Sequence, residues 1–227
     1  YINQSMLEQI SEVEGMQTYE AGNDWEVLLL GYELTHGAYY EYYKNLEAHP
    51  EEVTDVSAED YKNMAHIAYT YPVRNSQNHS AFYNGSLRLT EGQHITEKDT
   101  YKVLVSEKLA ETNQLKVGDK IRLDGLSLYM GGGYPAVSIG KVEAEIAGLF
   151  EPTYHQAVSE YTREEDILDN WLFIDSRTGM ELDTIYEEKD RLREATFFVE
   201  NPREIDDAIK AVKNLDEIDW KYFTLEK

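Results

Sequence analysis

The segment KVLVSEKLAETNQLKVGDKIRL, residues 102–123, predicts a strand, a short helix, a tight turn and a second strand in close succession. The VLV run near its start is typical of a buried strand, and Ser106 is a suitable N-cap for the helix that follows. Gly118 predicts a turn that needs a positive φ. Ile121 and Leu123 alternate with charged side chains, which indicates a strand with one buried face. The segment offers no candidate catalytic group, so we interpret it as a rigid scaffold.

Apolar periodicity predicts further helices and strands on both sides of this scaffold. Helices are predicted over residues 3–13 and 35–46 and from Ser57 onward, and strands over residues 24–34, 141–150 and 170–175. At the end of the chain, a strand over residues 195–199, a helix capped by Asn201 and a strand over residues 219–225 predict a β-α-β unit with a right-handed crossover. These patterns together favour an α+β fold.

The composition limits the functions open to this chain. It has 44 acidic and 21 basic side chains and a formal net charge of −23, which repels the phosphates of nucleic acid and of anionic lipids. We therefore predict no nucleic-acid partner. The absence of cysteine excludes a disulfide framework, a thiolate metal site and a cysteine nucleophile. No stretch approaches the roughly 20 consecutive apolar residues of a membrane-spanning helix.

No motif for catalysis, cofactor binding or metal binding stands out. The histidines do not occur in metal-binding pairs; they are His36, His49, His66, His79, His94 and His155. We interpret EED, residues 164–166, as a solvated acidic turn, with Thr162 and Glu165 in capping-box spacing. The MGGGYP loop, residues 130–135, lacks the Lys-Ser or Lys-Thr pair of a phosphate-binding loop. The sequence therefore predicts no enzyme activity, no cofactor and no metal.

Tyrosine is abundant, with 18 residues against 6 phenylalanines. The cluster YYEYY supplies the candidate partner-contact residues, which are Tyr39, Tyr40, Tyr42 and Tyr43. One interpretation is an aromatic platform for a peptide or for another subunit. The other is a helix that packs Tyr39 and Tyr43 on the core and leaves Tyr40 and Tyr42 along the surface. Helical spacing favours the second interpretation, and both stay open at this point.

Four segments carry a resemblance to a known family. They are LTEGQHITEKDTYKVLVSEKLAETNQ (residues 89–114), LKVGDKI (residues 115–121), EIAGLF (residues 145–150) and FFVENPREIDDAIKAVKN (residues 197–214). As a set they resemble the extracytoplasmic core of MacB/FtsX-like ABC transporter permeases, and residues 1–86 match more loosely.

The resemblance implies a porter-like α/β subdomain built from β-α-β units at both chain ends, residues 1–86 and 195–227. A smaller mixed α/β subdomain, residues 87–194, would be inserted in the middle. The family has no catalytic residues in this region, because its ATP site belongs to a separate subunit.

The implied function is that of an extracellular domain at the cell membrane of a Gram-positive bacterium. It would couple ATP-driven movement to the export or handling of a peptide, antibiotic or lipid-linked substrate, or to the regulation of an extracellular partner by mechanotransmission. The implied partners are the rest of the permease, an ATP-binding subunit, a second permease copy or a paralogue, and a peptide substrate. The alternative is a stand-alone extracellular module that binds a peptide or glycan through tyrosines.

Overall fold

The computed structural model describes residues 1–52, 54–128 and 136–227, in which the chain forms nine strands and seven α-helices. The strands are β1 (Met16–Ala21), β2 (Trp25–Leu28), β3 (Ile67–Val73), β4 (Leu87–Gly92), β5 (Lys102–Ser106), β6 (Lys120–Leu128), β7 (Ala136–Pro152), β8 (Trp171–Asp175) and β9 (Ala195–Val199). The helices are α1 (Gln4–Ser11), α2 (Ala38–Ala48), α3 (Ala58–Met64), α4 (Ser80–Tyr83), α5 (Glu107–Thr112), α6 (Ser176–Ile185) and α7 (Ile205–Lys213). The predicted MGGGYP loop, residues 130–135, lies outside the described residues.

Seven of the strands form a sheet that closes on itself. Their order is β4-β7-β5-β8-β3-β2-β6, and β6 also pairs with β7. Because β7 is 17 residues long, its first part pairs with β6 and its last part pairs with β5 and β4. Strands β7, β5, β8, β3, β2 and β6 therefore form a ring, and β4 lies outside this ring as an edge strand.

Alternating side chains from these strands fill the inside of the barrel. Val27, Val103, Ile121, Leu123 and Ile146 are each 0% exposed and belong to one apolar cluster. Their burial removes apolar surface from water and stabilises the closed sheet. The prediction that the alternating pattern in KIRL gives a strand with a buried face is confirmed.

The scaffold over residues 102–123 forms the predicted strand, helix, turn and strand. The Leu109 N–H donates to the Ser106 side-chain oxygen at 2.9 Å, which caps α5 as expected. Gly118 has φ of +93°, and its N–H donates to the Ile146 carbonyl at 2.8 Å. The turn is thereby attached directly to β7.

Two segments cover the outside of the barrel. The α2–α3 pair lies over an apolar cluster of Leu28, Ile67 and Leu126. On another side, α4 places Phe82 against Phe173, with the ring centroids 4.8 Å apart. The tyrosine-rich helix α2 is therefore an outer element of the barrel.

The chain ends form a second, smaller unit. Strands β1 and β9 pair antiparallel as a separate sheet, and α1 and α7 share a core of Ile10, Val212 and Ile218. None of the helices in the described ranges has the length and apolarity that crossing a membrane requires.

The predicted final strand over residues 219–225 is wrong. Trp220–Tyr222 is a 3₁₀ turn, and Asp219 caps its start by accepting the Lys221 N–H at 3.2 Å. Phe223 and Leu225 pack onto the core between the terminal helices, so their apolar side chains are partly buried without strand pairing. Residues 195–227 consequently form no β-α-β unit, and β9 pairs with β1 instead.

The mixed fold with a sheet and helices is confirmed. Strands β2 and β3, which the sequence interpretation placed with the chain ends, pair with β6 and β8 in the large sheet. Strand β1 alone among the first three strands pairs with the C-terminal segment. The division into subdomains stays a prediction.

Candidate functional site

The tyrosine-rich helix α2 begins on a buried carboxylate from a distant part of the chain. Glu164 Oε1 accepts the N–H groups of Gly37 at 2.9 Å and Tyr40 at 2.8 Å, and its Oε2 accepts the Tyr39 N–H at 3.0 Å. Glu164 is 0% exposed. Its carboxylate satisfies N–H groups that a helix start leaves without intrahelical partners, and its charge suits the positive end of the helix dipole.

The backbone on both sides of this cap is in close contact. The Ala38 N–H donates to the Thr162 carbonyl at 2.7 Å. A Cβ atom at Gly37 would lie 2.5 Å from the same carbonyl oxygen, so any side chain there would force the two segments apart. Asn170 links the two segments that form the cap, because its Nδ2 donates to the carbonyls of Glu164 at 2.9 Å and Thr35 at 2.8 Å.

The interpretation of residues 164–166 as a solvated acidic turn is therefore wrong. Glu164 and Glu165 are both buried, and the 3₁₀ turn they begin has Arg163 at its N-cap, not Thr162. Burial raises the pKa of Glu164 above its usual value, although its three N–H donors oppose this rise. The sequence around Glu164 did not indicate that this residue caps a helix. The N–H groups that its carboxylate accepts lie 124 to 127 residues earlier in the chain.

Glu165 lies beside the first turn of α2. Its Oε1 is 3.2 Å from Arg163 Nη1 and accepts the Tyr39 hydroxyl at 3.3 Å. Its Oε2 is buried and has no hydrogen-bond partner among the described residues. Burial raises the pKa of Glu165 to about 7, with the Arg163 charge acting in the opposite direction.

The structure divides the predicted tyrosine cluster into two aromatic groups. In one group, Tyr40 stacks on His36 with centroids 3.4 Å apart and meets the edge of Tyr43 at 6.1 Å. In the other group, Tyr61 of α3 lies 5.1 Å from Tyr42 and 6.5 Å from Tyr39. The four predicted residues thus face two sides of α2.

The four tyrosines also differ in burial. Tyr39 packs against the apolar cluster beneath α2, as expected. Tyr43 does not join this core, and its hydroxyl donates to Glu47 at 2.9 Å. Tyr42 is 42% exposed, whereas Tyr40 is half-buried. Of the candidate contact residues, Tyr42 offers the largest free aromatic surface.

An open groove of about 650 Å³ lies between α2 and the loop formed by residues 154–162. Helix α2 contributes Glu41 and Tyr42 to it, and the loop contributes Val158, Glu160 and Tyr161. Tyr161 is 73% exposed and Val158 is 45% exposed. The sequence did not indicate these loop residues, because Val158 and Tyr161 are only two apolar side chains within a polar stretch.

We call this space the α2–loop groove. Its lining combines aromatic rings with carboxylates. Across the described ranges, no group of three His, Asp or Glu side chains could hold a metal ion.

Comparison with known proteins gives one sequence relative of interest. The uncharacterised ABC transporter permease YclI of Bacillus subtilis (strain 168) is 25% identical over 153 aligned residues, which cover 63% of this chain and 28% of that permease. The chain resembles an ABC transporter permease. The match supports the permease family that the sequence motifs indicate, and it spans under a third of the permease's length.

Two solved structures are also similar at low sequence identity. The extracellular domain of the noncanonic ABC-type transporter YknZ from Gram-positive bacteria has a TM-score of 0.49 and 12% identity, with 94% of this chain and 81% of that chain covered. The periplasmic region of MacB from Actinobacillus actinomycetemcomitans has a TM-score of 0.37 and 12% identity, with 92% and 83% covered. No protein-family model matches the chain.

Proposed function

We propose that this chain is the extracellular domain of an ABC transporter permease and that it has no catalytic activity of its own. The sequence match to a permease carries this proposal. The fold is compatible with it, since the described residues build a closed, well-packed barrel.

The position of the two chain ends supports the proposal. Ile2 and Lys227 line the same cavity, between α1, α7 and the β1–β9 sheet. A domain inserted between two membrane helices requires both of its ends on one side. Ends on opposite sides of the fold would have contradicted the proposal.

In the proposed mechanism, membrane movement driven by ATP hydrolysis in a separate subunit reaches the barrel through the β1–β9 unit. The partners are the rest of the permease, that ATP-binding subunit, and a second permease copy or a paralogue. The outcome is export or handling of a peptide, antibiotic or lipid-linked substrate, or regulation of an extracellular partner. For the domain division, the strand pairing favours a terminal unit of residues 1–21 and 195–227 around an inserted barrel.

The side of the membrane can be tested directly, because this chain has no cysteine and any cysteine elsewhere in the full-length protein can first be replaced by serine. Lys108 is exposed on α5, so Lys108→Cys in the full-length protein should react with a membrane-impermeant maleimide on intact cells. Ala110→Cys is a matched control at a site 1% exposed, and it should react only after denaturation. Labelling of Lys108→Cys only after lysis would contradict the extracellular placement.

The stand-alone binding module remains the second candidate, and the exposed tyrosine side of the α2–loop groove favours it. Fractionation of the full-length protein separates the two. A permease stays in the membrane fraction after a high-salt wash and co-purifies with an ATP-binding subunit, whereas a stand-alone module is released without one.

A further inference from the structure

The α2–loop groove has features that identify the kind of partner it fits. We propose that it binds an extended, basic peptide segment. This inference deepens the proposed function and rests on it for the location of the peptide outside the cell.

The charges along the groove have one sign. Its lining includes the carboxylates of Glu41 and Glu160 and, among the described residues, no lysine or arginine. His36 also lines it, in contact with Glu33. The net charge of −23 adds an attractive field for cations over the rest of the molecule. An acidic ligand would meet repulsion, so the groove selects for Lys and Arg side chains.

The groove also offers apolar and aromatic contacts. Tyr42 and Tyr161 project from its two walls, and Val158 lies on the loop side. Tyrosine combines a broad apolar ring with a hydroxyl that can bond a peptide backbone, and its face attracts ammonium and guanidinium groups. Two tyrosines with two carboxylates therefore match a segment in which basic residues alternate with apolar ones.

The two walls are held together before any ligand binds. The Ala38 N–H to Thr162 carbonyl bond joins them directly, and the Glu164 carboxylate joins the same helix start to the end of the loop. Gly37 allows this close approach. A groove with fixed walls loses less conformational entropy on binding than one that must form around its ligand.

The test uses the isolated chain, provided that circular dichroism and a cooperative melt show it folded, and two fluorescein-labelled peptides of alternating sequence. One alternates Lys with Leu, and its matched control alternates Glu with Leu. Fluorescence anisotropy should show binding of the Lys peptide and none of the Glu peptide. The affinity should weaken as salt is raised, since screening reduces attraction between exposed charges.

Variants locate the binding on the molecule. The double variant Tyr42→Ala, Tyr161→Ala should weaken the Lys peptide by about 10-fold or more, as expected for aromatic anchors at a binding surface. Tyr83→Ala is the matched control, because Tyr83 is 67% exposed and lies outside this groove. Glu41→Gln with Glu160→Gln should weaken binding and reduce its salt dependence. Glu111→Gln is the control and should change neither, because Glu111 is an exposed carboxylate on α5, outside this groove.

A third variant tests the joined walls. Gly37→Ala should weaken the Lys peptide, because the new Cβ pushes the Thr162 carbonyl away. If that variant fails to fold, the tyrosine and glutamate variants still decide the matter.

Some outcomes overturn the inference. They are equal binding of the Lys and Glu peptides, a groove variant no weaker than Tyr83→Ala, or binding of a neutral oligosaccharide in place of the Lys peptide. The maleimide labelling is independent of all three. Extracellular labelling without peptide binding removes only the groove inference, and peptide binding without extracellular labelling removes the proposed function.

Discussion

Replacement of Glu164 tests whether one buried carboxylate fixes the start of α2. Glu164→Ala removes the acceptor of three N–H groups, at 2.8 to 3.0 Å. The Gly37 N–H bond is fully buried, and a buried donor without an acceptor costs about 1–3 kcal/mol. The Tyr39 and Tyr40 N–H groups are partly buried, so water can replace some of what they lose.

Part of this cost is offset, because the variant no longer has to bury a charge. We expect Glu164→Ala to lower the free energy of unfolding by about 2–4 kcal/mol. Glu164→Gln should cost less, about 1–2 kcal/mol, since one amide oxygen can keep the two bonds that Oε1 accepts. Its NH₂ group would then face the Tyr39 N–H, and that one bond is lost.

Urea unfolding at pH 7, followed by tryptophan fluorescence, measures these differences. Glu160→Ala is the matched control, because Glu160 is an exposed carboxylate in the same segment and should change stability by no more than about 0.5 kcal/mol. Hydrogen exchange should accelerate at residues 37–40 in Glu164→Ala. A loss below about 0.5 kcal/mol, or a larger loss for Gln than for Ala, would refute the capping role.

Three further predictions concern single residues. Gly118→Val should lower the free energy of unfolding by about 1–3 kcal/mol, because φ at this position is +93° and a β-branched residue is strained there. Gly118→Asn should recover part of this loss. An unchanged melting temperature in Gly118→Val would contradict the prediction. Burial raises the pKa of Glu165 to about 7, above its unfolded value of about 4.3. The native state therefore holds this proton where the unfolded chain has lost it, so stability should fall as pH rises from about 4.5 to 7. Glu165→Gln should reduce this dependence of the free energy of unfolding on pH, measured by urea unfolding. The same pH dependence in the variant and the unmodified protein would contradict the raised pKa of Glu165. Asn170→Asp keeps one acceptor but loses both donors to the carbonyls of Thr35 and Glu164, so it should lower the melting temperature more than an exposed Asn→Asp change.

Local patterns in the sequence predicted local structure well. Ser106 caps α5, and α3 follows Ser57, where a helix was predicted to start. The structure shows that Ser57 and Asp60 form a capping box there, and each cap joins atoms only three residues apart. Gly118 has the positive φ that its turn requires. In such cases, the partner of each group lies within the same short window of sequence, so residue type alone decides the geometry.

Tertiary pairing was harder to predict. The pattern around residues 141–150 predicted a strand, but not that β7 would extend over 17 residues and pair with three other strands. Glu164 looked like a surface residue, because its three donors come from a helix more than 120 residues earlier in the chain. The apolar side chains of residues 219–225 are compatible with a strand and also with packing on a core between helices. They pack on such a core because α1 and α7 lie next to them.

The pairing of β1 with β9 determines how mechanical load passes through the molecule. Tension between the two chain ends is carried by this antiparallel pair and by the contact between α1 and α7. Residues 22–194 lie outside this path. The barrel therefore experiences little stretching when its ends are pulled apart. A shift of both chain ends together would move this terminal unit first, because both ends belong to it.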